Sequence, residues 1–352
     1  MNIKGRVLRL LGNRSHNSVL DMKQVKRILV VRNGRIGDVV CMFPLLRELK
    51  KNFPEIEVDV YAGVHSYFLF DYCPFVERVY VKYKKRQIFK TWIDFFKMKF
   101  RSYDLIIDAM PLKFELQMSL FLLNAKWMVG LEYAPRYEVM KKELKRYNGQ
   151  LHQVSAGEHT VEYLTDLIRF LNVQEYSDTM LFFNDKVHLD KADTFLSDFS
   201  HVKKIALNVD ASSLTRSLYE PQIVEISQAL ASKNTAIILL SLPNRRHEMQ
   251  ELIKKNNLEN VFVSYKTESI YDVAAIVSKV QLVISPDTSI IHIASAYNVA
   301  TVGIYKNDDI HIAGWGPRSH DHAVIRSQFF EENSLEGFST QELIDAAKAF
   351  LA

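Results

Sequence analysis

The sequence predicts an α/β protein made of two doubly wound domains in tandem. Three observations predict it. Short apolar, β-branched runs alternate with amphipathic stretches in both halves of the 352-residue chain, as parallel strands buried on both faces do when helices connect them. The length corresponds to about two domains at roughly 150 residues each. Hydrophobic residues make up 48% and charged residues 24%, the proportions of an ordinary globular chain.

The elements follow in order. Residues 1–25 form a basic N-terminal extension. KRILVV (26–31) is the first strand, and RNGRIGD then leads into an apolar-periodic helical stretch ending near Asn52. Pro54 punctuates, EVDVYA (57–62) and DLIIDA (104–109) are further strands, and WMVGL (127–131) is a candidate fourth. In 159–172, Val161, Leu164, Ile168 and Leu171 repeat at helical spacing. The less regular stretch 173–200 holds the expected junction, giving an N-terminal domain over 26–180 and a C-terminal domain over 181–338. In the second half, KKIALNV (203–209), TAIILLSL (235–242), VFVSY (261–265), QLVISP (281–286) and ATVGIY (300–305) are strands. Helices at 220–232, 245–256, 269–279 and 288–297 separate them. A last helix in 339–352 opens on a Ser/Thr-x-x-Glu type of cap.

Composition excludes several functions. The two cysteines, Cys41 and Cys73, exclude a disulfide scaffold and a four-cysteine zinc site and fit a reducing compartment. No apolar run approaches the roughly 18–20 residues of a membrane-spanning helix, and the N-terminal apolar stretch is too short for a secretory signal. A cytoplasmic protein is expected. Only 12 glycines occur, none between Gly157 and Gly303, so the glycine-rich phosphate loops of P-loop and dinucleotide-binding proteins are missing. The net charge of +4 conceals two basic segments: residues 1–27 carry net +6 and residues 82–101 net +7, leaving the remainder at −9. Such asymmetry points to a localised anionic partner.

Three loops that leave strand ends carry candidate chemistry. Ligands of doubly wound sheets bind at such ends. In Arg32–Val40, Gly34 and Gly37 are read as allowing a tight turn, with Arg35 beside them. Asp38 falls in the first helical turn, either as a cap or as a general base. In Ser285–His292, Asp287, Thr288 or Ser289 caps a helix whose start suits a diphosphate. His292 lies one turn in, as a phosphate donor or as a structural histidine. In Asp210–Arg216, Ser212, Ser213, Thr215 and Arg216 suit phosphate contact, or form a polar surface loop.

The stretch ILVVRNGRIGDVVCMFPLLRELKKNFPEIEVDVYAG resembles the start of glycosyltransferase family 9, the ADP-heptose:lipopolysaccharide heptosyltransferases. The shared features are Arg32, Gly37-Asp38, Pro44-Leu45-Leu46 and Phe53-Pro54. LVISPDTSIIHIASAYNVATVGIY resembles the family's D-T-G-x-x-H segment, DASSLTRSLYEPQIVEIS its phosphate loop, and HTVEYLTDLIRFL its interdomain helix. The matches stand in order over most of 26–305. The resemblance implies a GT-B fold, two Rossmann-like domains facing a central cleft. It implies inverting, metal-independent transfer, with acceptor on the first domain and nucleotide-sugar on the second. Asp38 would be the catalytic base. Asp287, Thr288, Ser289 and His292 would lie at the diphosphate and sugar, and Ser212, Ser213, Thr215 and Arg216 on the phosphates. No cofactor or metal is implied; the substrates would be a nucleotide-sugar donor, ADP-heptose or another, and a phosphorylated lipopolysaccharide core or lipid A acceptor.

This chain departs from the family pattern at three places. Asp210 replaces a glycine, Ser289 replaces the glycine of D-T-G, and Arg245 stands where an acid is expected at the nucleotide ribose. Glu248, one turn on, is the substitute acid. These departures keep open a different donor such as a UDP-hexose, and beside it a non-catalytic GT-B-like binding module.

The basic segment 84–101 interleaves Lys and Arg with Ile88, Phe89, Trp92, Ile93, Phe95, Phe96 and Phe100. It reads as an interfacial helix on an anionic inner-membrane surface, as an acceptor-docking surface, or as a helix whose aromatics belong to the core. Lys4, Arg6, Val7, Leu8, Arg9, Leu10, Leu11 and Arg14 of the N-terminal extension are candidates for the same lipid contact. No nucleic-acid-binding motif accompanies the charge. Asp308, Asp309, His311, His320 and His322 match no standard zinc spacing.

Overall fold

The computed structural model describes residues 3–13, 19–148, 150–327 and 337–351. Arg14 of the candidate lipid contact lies outside them. The chain divides into two compact units, Met1–Thr179 and Met180–Ala352.

In the first unit the order is α1 (Ile3–Gly12), β1 (Arg27–Arg32), α2 (Ile36–Val40), α3 (Phe43–Asn52), β2 (Glu57–Gly63), β3 (Arg78–Lys82), α4 (Ile88–Arg101), β4 (Leu105–Asp108), α5 (Phe114–Leu123), β5 (Trp127–Glu132), β6 (Leu151–Gln153) and α6 (Thr160–Asp166). The six strands are all parallel, in the order β3-β2-β1-β4-β5-β6. Alternate residues of β1 face opposite ways. Leu29 and Val31 enter a core shared with Leu8 of α1, Phe95 and Met98 of α4 and Leu116 and Leu120 of α5. Those three helices therefore cover one face of the sheet.

The second unit contains α7 (Lys186–Leu196), β7 (Lys203–Asn208), α8 (Glu220–Leu230), β8 (Thr235–Leu240), α9 (Arg246–Lys255), β9 (Val261–Val263), α10 (Ile270–Val277), β10 (Leu282–Pro286), α11 (Ser289–Ala296), β11 (Ala300–Tyr305), α12 (Asp309–Trp315), β12 (His322–Arg326) and α13 (Thr340–Leu351). Its six parallel strands run β12-β11-β10-β7-β8-β9. Leu343, Ile344 and Ala347 of α13 lie in the same core as Ile205, Ile237 and Ile284, so the closing helix is an integral part of this unit.

Read from the opposite edge, the second sheet has the strand order of the first: three strands wound one way, then three the other. This is the Rossmann-like, doubly wound order of a GT-B protein. The reversal falls between β1 and β4 in one unit and between β7 and β10 in the other. The crevice at the carboxyl ends of those strand pairs is where such sheets bind ligands.

All the strands read from the sequence are present. Strands β3, β6 and β12 were not read from it. All three are sheet edges; half-covered, they lack the continuous apolar run that marks a central strand. The helix read over 159–172 is α-helical only to Asp166 and tightens into a 3₁₀ turn over Leu167–Leu171.

Candidate functional site

At the switch point of the first unit, β1 ends on Arg32, whose side chain is almost fully buried. One guanidinium nitrogen donates to the Ala109 carbonyl beyond β4 at 2.8 Å, and another reaches Asp38 Oδ1 at 2.7 Å. The second carboxylate oxygen of Asp38 accepts the Arg35 backbone N–H at 2.9 Å. Asp38 thus caps α2 and holds an ion pair at once, with a quarter of its side chain exposed. Burial weakens the Arg32 charge, but Asp38, together with Tyr133 and Tyr163, outweighs this and raises the guanidinium above its ordinary range. Each Asp38 oxygen has a second lone pair, so the carboxylate can still accept another proton donor.

The loop differs from expectation in its backbone. Among the described glycines positive φ occurs at Gly157 and Gly337, not at Gly34 or Gly37. Gly34 is required by close approach instead: a Cβ there would overlap the Asp38 side chain and sit 2.8 Å from Oδ2. Ser66 Oγ donates to the Gly34 carbonyl at 2.8 Å and fixes the loop from the other side. Gly37 is inside α2, where its carbonyl accepts the Cys41 N–H.

At the switch point of the second unit, Asn208 at the end of β7 donates to Ser285 Oγ at 3.0 Å and to Thr288 Oγ1 at 3.3 Å. Thr288 caps α11 by accepting the Ile290 N–H, and Ser289 is that helix's first residue. Arg216 bonds the Asp287 carbonyl at 2.8 Å and its carboxylate at 2.6 Å. His311 Nε2 lies 2.8 Å from the same carboxylate oxygen. Burial alone would raise the Asp287 pKa; the His311 hydrogen bond, with the charges of His311, Arg216 and His292, carries it below the usual carboxylate value. His292 is buried, its ring edge-on to Trp315 at 5.7 Å. Of the hydroxyl loop, only Arg216 is joined to this group. Ser212 is exposed, and Ser213 and Thr215 bond each other at 3.1 Å.

A second cluster spans the ends of β7 and β8. Asp210 Oδ2 accepts the Leu242 N–H at 2.7 Å, and its other oxygen pairs with Arg245. Arg245 also holds Glu248 through two bonds, of 3.0 and 2.5 Å. Glu248 and Asp210 together hold the guanidinium above its ordinary range, against partial burial. Two of the departures from the family pattern, Asp210 and Arg245, are therefore one ion pair.

Two residues take roles that the sequence did not assign: Arg32, read there only as part of the first loop and of the family motif, orients Asp38, and His311, weighed there only beside a metal, bonds Asp287. The His311 pairing left no local signal, because Asp287 is distant in sequence. The Asp/His group suspected of mimicking a metal cluster is scattered. Asp308 caps α12, His320 faces Asp321 and His322 faces the Ser319 carbonyl.

Comparison with known proteins agrees with this fold. The model of glycosyltransferase family 9 (heptosyltransferase) matches residues 96–342. The chain belongs to glycosyltransferase family 9. A protein of Escherichia coli K12 named "Putative lipopolysaccharide heptosyltransferase 4" is 24% identical, over 96% of this chain and 91% of its own. Among solved structures, a family 9 glycosyl transferase from Veillonella parvula superposes with a TM-score of 0.75 at 16% identity, covering 93% of this chain and 97% of that one. E. coli heptosyltransferase WaaC with ADP gives 0.69 at 19%, covering 92% and 99%. This family 9 glycosyltransferase shares their fold.

Proposed function

We propose that this glycosyltransferase moves a heptose from ADP-heptose to a lipopolysaccharide core acceptor, with inversion and without a metal, at the cytoplasmic face of the inner membrane. The observation that carries the reading is the set of Arg216, Asp287 and His311 beside the start of α11, at the switch point of the second sheet. The leaving diphosphate needs positive charge, and a guanidinium, an imidazole and a helix N-terminus supply it there. Asp287 orients both side chains. The corresponding switch point of the first unit holds Asp38, bonded to Arg32 and partly exposed. In this reading Asp38 takes the acceptor hydroxyl proton while the oxygen attacks the anomeric carbon and the diphosphate departs. WaaC structures with ADP and with ADP-2-deoxy-2-fluoro heptose support an adenine nucleotide for this relative of the same fold.

A second donor, such as a UDP-hexose, is favoured by one observation. Arg245 and Asp210 neutralise each other near the ends of β7 and β8, where the resemblance places a lone acid at the ribose. A thermal-shift screen with ADP, UDP, GDP and CMP separates the two, because a ligand of the native state raises its melting temperature. A selective ADP shift is expected; a selective UDP shift would overturn the heptose reading. Asp38→Ala should lose about 10²–10⁴-fold in transfer with the ADP shift intact, and near-normal turnover would remove Asp38 from the mechanism.

A further inference from the structure

Helix α4 has two apolar stripes, not one. The inner stripe is Phe95 and Met98, both in the core, and Thr91 and Asp94 share that face as polar residues bonded to backbone N–H groups. Asp94 accepts the Val81 N–H at 2.9 Å. The outer stripe, Phe89, Trp92, Ile93, Phe96 and Phe100, repeats at i, i+3, i+4, i+7 and i+11. At about 100° per residue it lies on the opposite side of the helix. Its members are 74, 50, 40, 52 and 87% exposed. The core-packing expectation for these aromatics therefore holds for Phe95 alone. Single exposed apolar residues are ordinary, but a continuous aromatic stripe marks an interaction surface.

The charges around the stripe have one sign. Lys90 and Lys97 flank it on one side and Lys99 on the other, and Lys84, Lys85 and Arg86 precede the helix, all exposed. Asp94, the one acid of the segment, points inward. The neighbouring helices of the same layer add exposed apolar residues, and α1 adds cations. On α5, Leu122 is exposed and its carbonyl accepts from Lys99 at 2.6 Å; on α1, Ile3 and Leu10 are exposed among Lys4, Arg6 and Arg9. Described cations of both basic segments, those on α1 and on α4, thus share one helical layer. Aromatic rings with cations on both flanks match the boundary between headgroups and acyl chains of an anionic bilayer. Lysine stems keep their ammonium groups among the phosphates while the rings enter the apolar region.

We propose that the outer face of α4, continued by α5 and α1, docks this protein on an anionic phospholipid surface. The inference goes beyond the transfer reaction and does not depend on its donor or acceptor. Co-sedimentation with vesicles of phosphatidylglycerol and phosphatidylcholine, against phosphatidylcholine alone and with no glycolipid present, tests it. The wild-type chain should partition about tenfold or more in favour of the anionic vesicles, and lose this preference as salt screens the charges. Tryptophan emission should shift to the blue as Trp92 leaves water. The triple variant Phe89→Ser/Trp92→Ser/Phe96→Ser and the charge variant Lys85→Glu/Lys90→Glu/Lys97→Glu should each lose most of the binding, with the thermal shift by ADP preserved. Equal recovery of wild type in both supernatants would overturn the proposal, and this arm stands even if a variant fails to fold. Vesicle binding that survives in both folded variants would overturn it as well. So would concentration-dependent self-association that the triple variant abolishes in the absence of vesicle binding, which would make the face a contact between copies.

Discussion

Arg32 determines what Asp38 is. Buried at the end of β1, it requires a counter-charge, and Asp38 supplies it across the turn. Arg32→Met, of similar length, should therefore leave Asp38 held by the Arg35 N–H alone. Transfer is expected to fall about tenfold or more through misplacement of the carboxylate, with donor affinity unchanged; steady-state kinetics that show KM for donor rising and kcat constant would contradict this. Asp287 makes a pH-dependent contribution. Its folded pKa lies below the ordinary value, so the unfolded chain binds the proton more readily. The stability it adds is complete above about pH 4 and is lost as pH falls through the folded value. The melting-temperature difference between wild type and Asp287→Asn should accordingly be largest above that pH and shrink in acid. Cys73 is buried, and burial raises its thiol to about 12. With Cys41 also buried, a thiol reagent near pH 8 should label neither cysteine until the chain is unfolded.

At the scale of elements, α1 is the clearest departure from expectation. The basic N-terminal extension does not simply trail from the domain. Leu8 is fully buried against α5 and the sheet, and Arg9 pairs with Glu143 at 2.6 Å. Leu8→Ala should cost about 2–5 kcal/mol in urea unfolding; a change within error would mean that α1 is not part of the core. The loop between β1 and α2 offers a second test at this scale. Gly34→Ala places a methyl group against Asp38, so a loss of about 1–3 kcal/mol from overpacking is expected, together with reduced transfer. The central strands β1, β4, β7, β8, β10 and β11 were legible because each is an apolar run covered on both faces. The edge strands β3, β6 and β12 were not, since partial exposure admits Arg, Lys, His and Gln and breaks the run.

At the scale of the whole molecule, both sheets place their candidate residues at the same point of the same strand order. Each unit has its own core and its own crevice. Amide hydrogen exchange should register the proposed division of donor and acceptor between the units. ADP is expected to slow exchange chiefly in 209–217, 286–292 and 308–312 of the second unit, with little change in 32–40. Protection centred on 32–40 would reverse the assignment of donor and acceptor. The charge distribution belongs to this scale too: among the described residues, Lys4, Arg6 and Arg9 of α1 and Lys90, Lys97 and Lys99 of α4 lie on one helical layer of the first unit.

The sequence by itself determined the repeated strand-helix alternation, the three loops at strand ends and the family they resemble. These are written locally, in runs of buried residues and in short motifs that a strand or a helix start requires. Only the tertiary structure decided which side chains meet. Asp38 with Arg32, Asp287 with both Arg216 and His311, and Asp210 with Arg245 are pairs set by strand order and by loops returning to one edge of a sheet. The same holds for α4. Helical periodicity marks its residues as amphipathic, but the sheet buries one side of the helix and leaves a second apolar stripe outside.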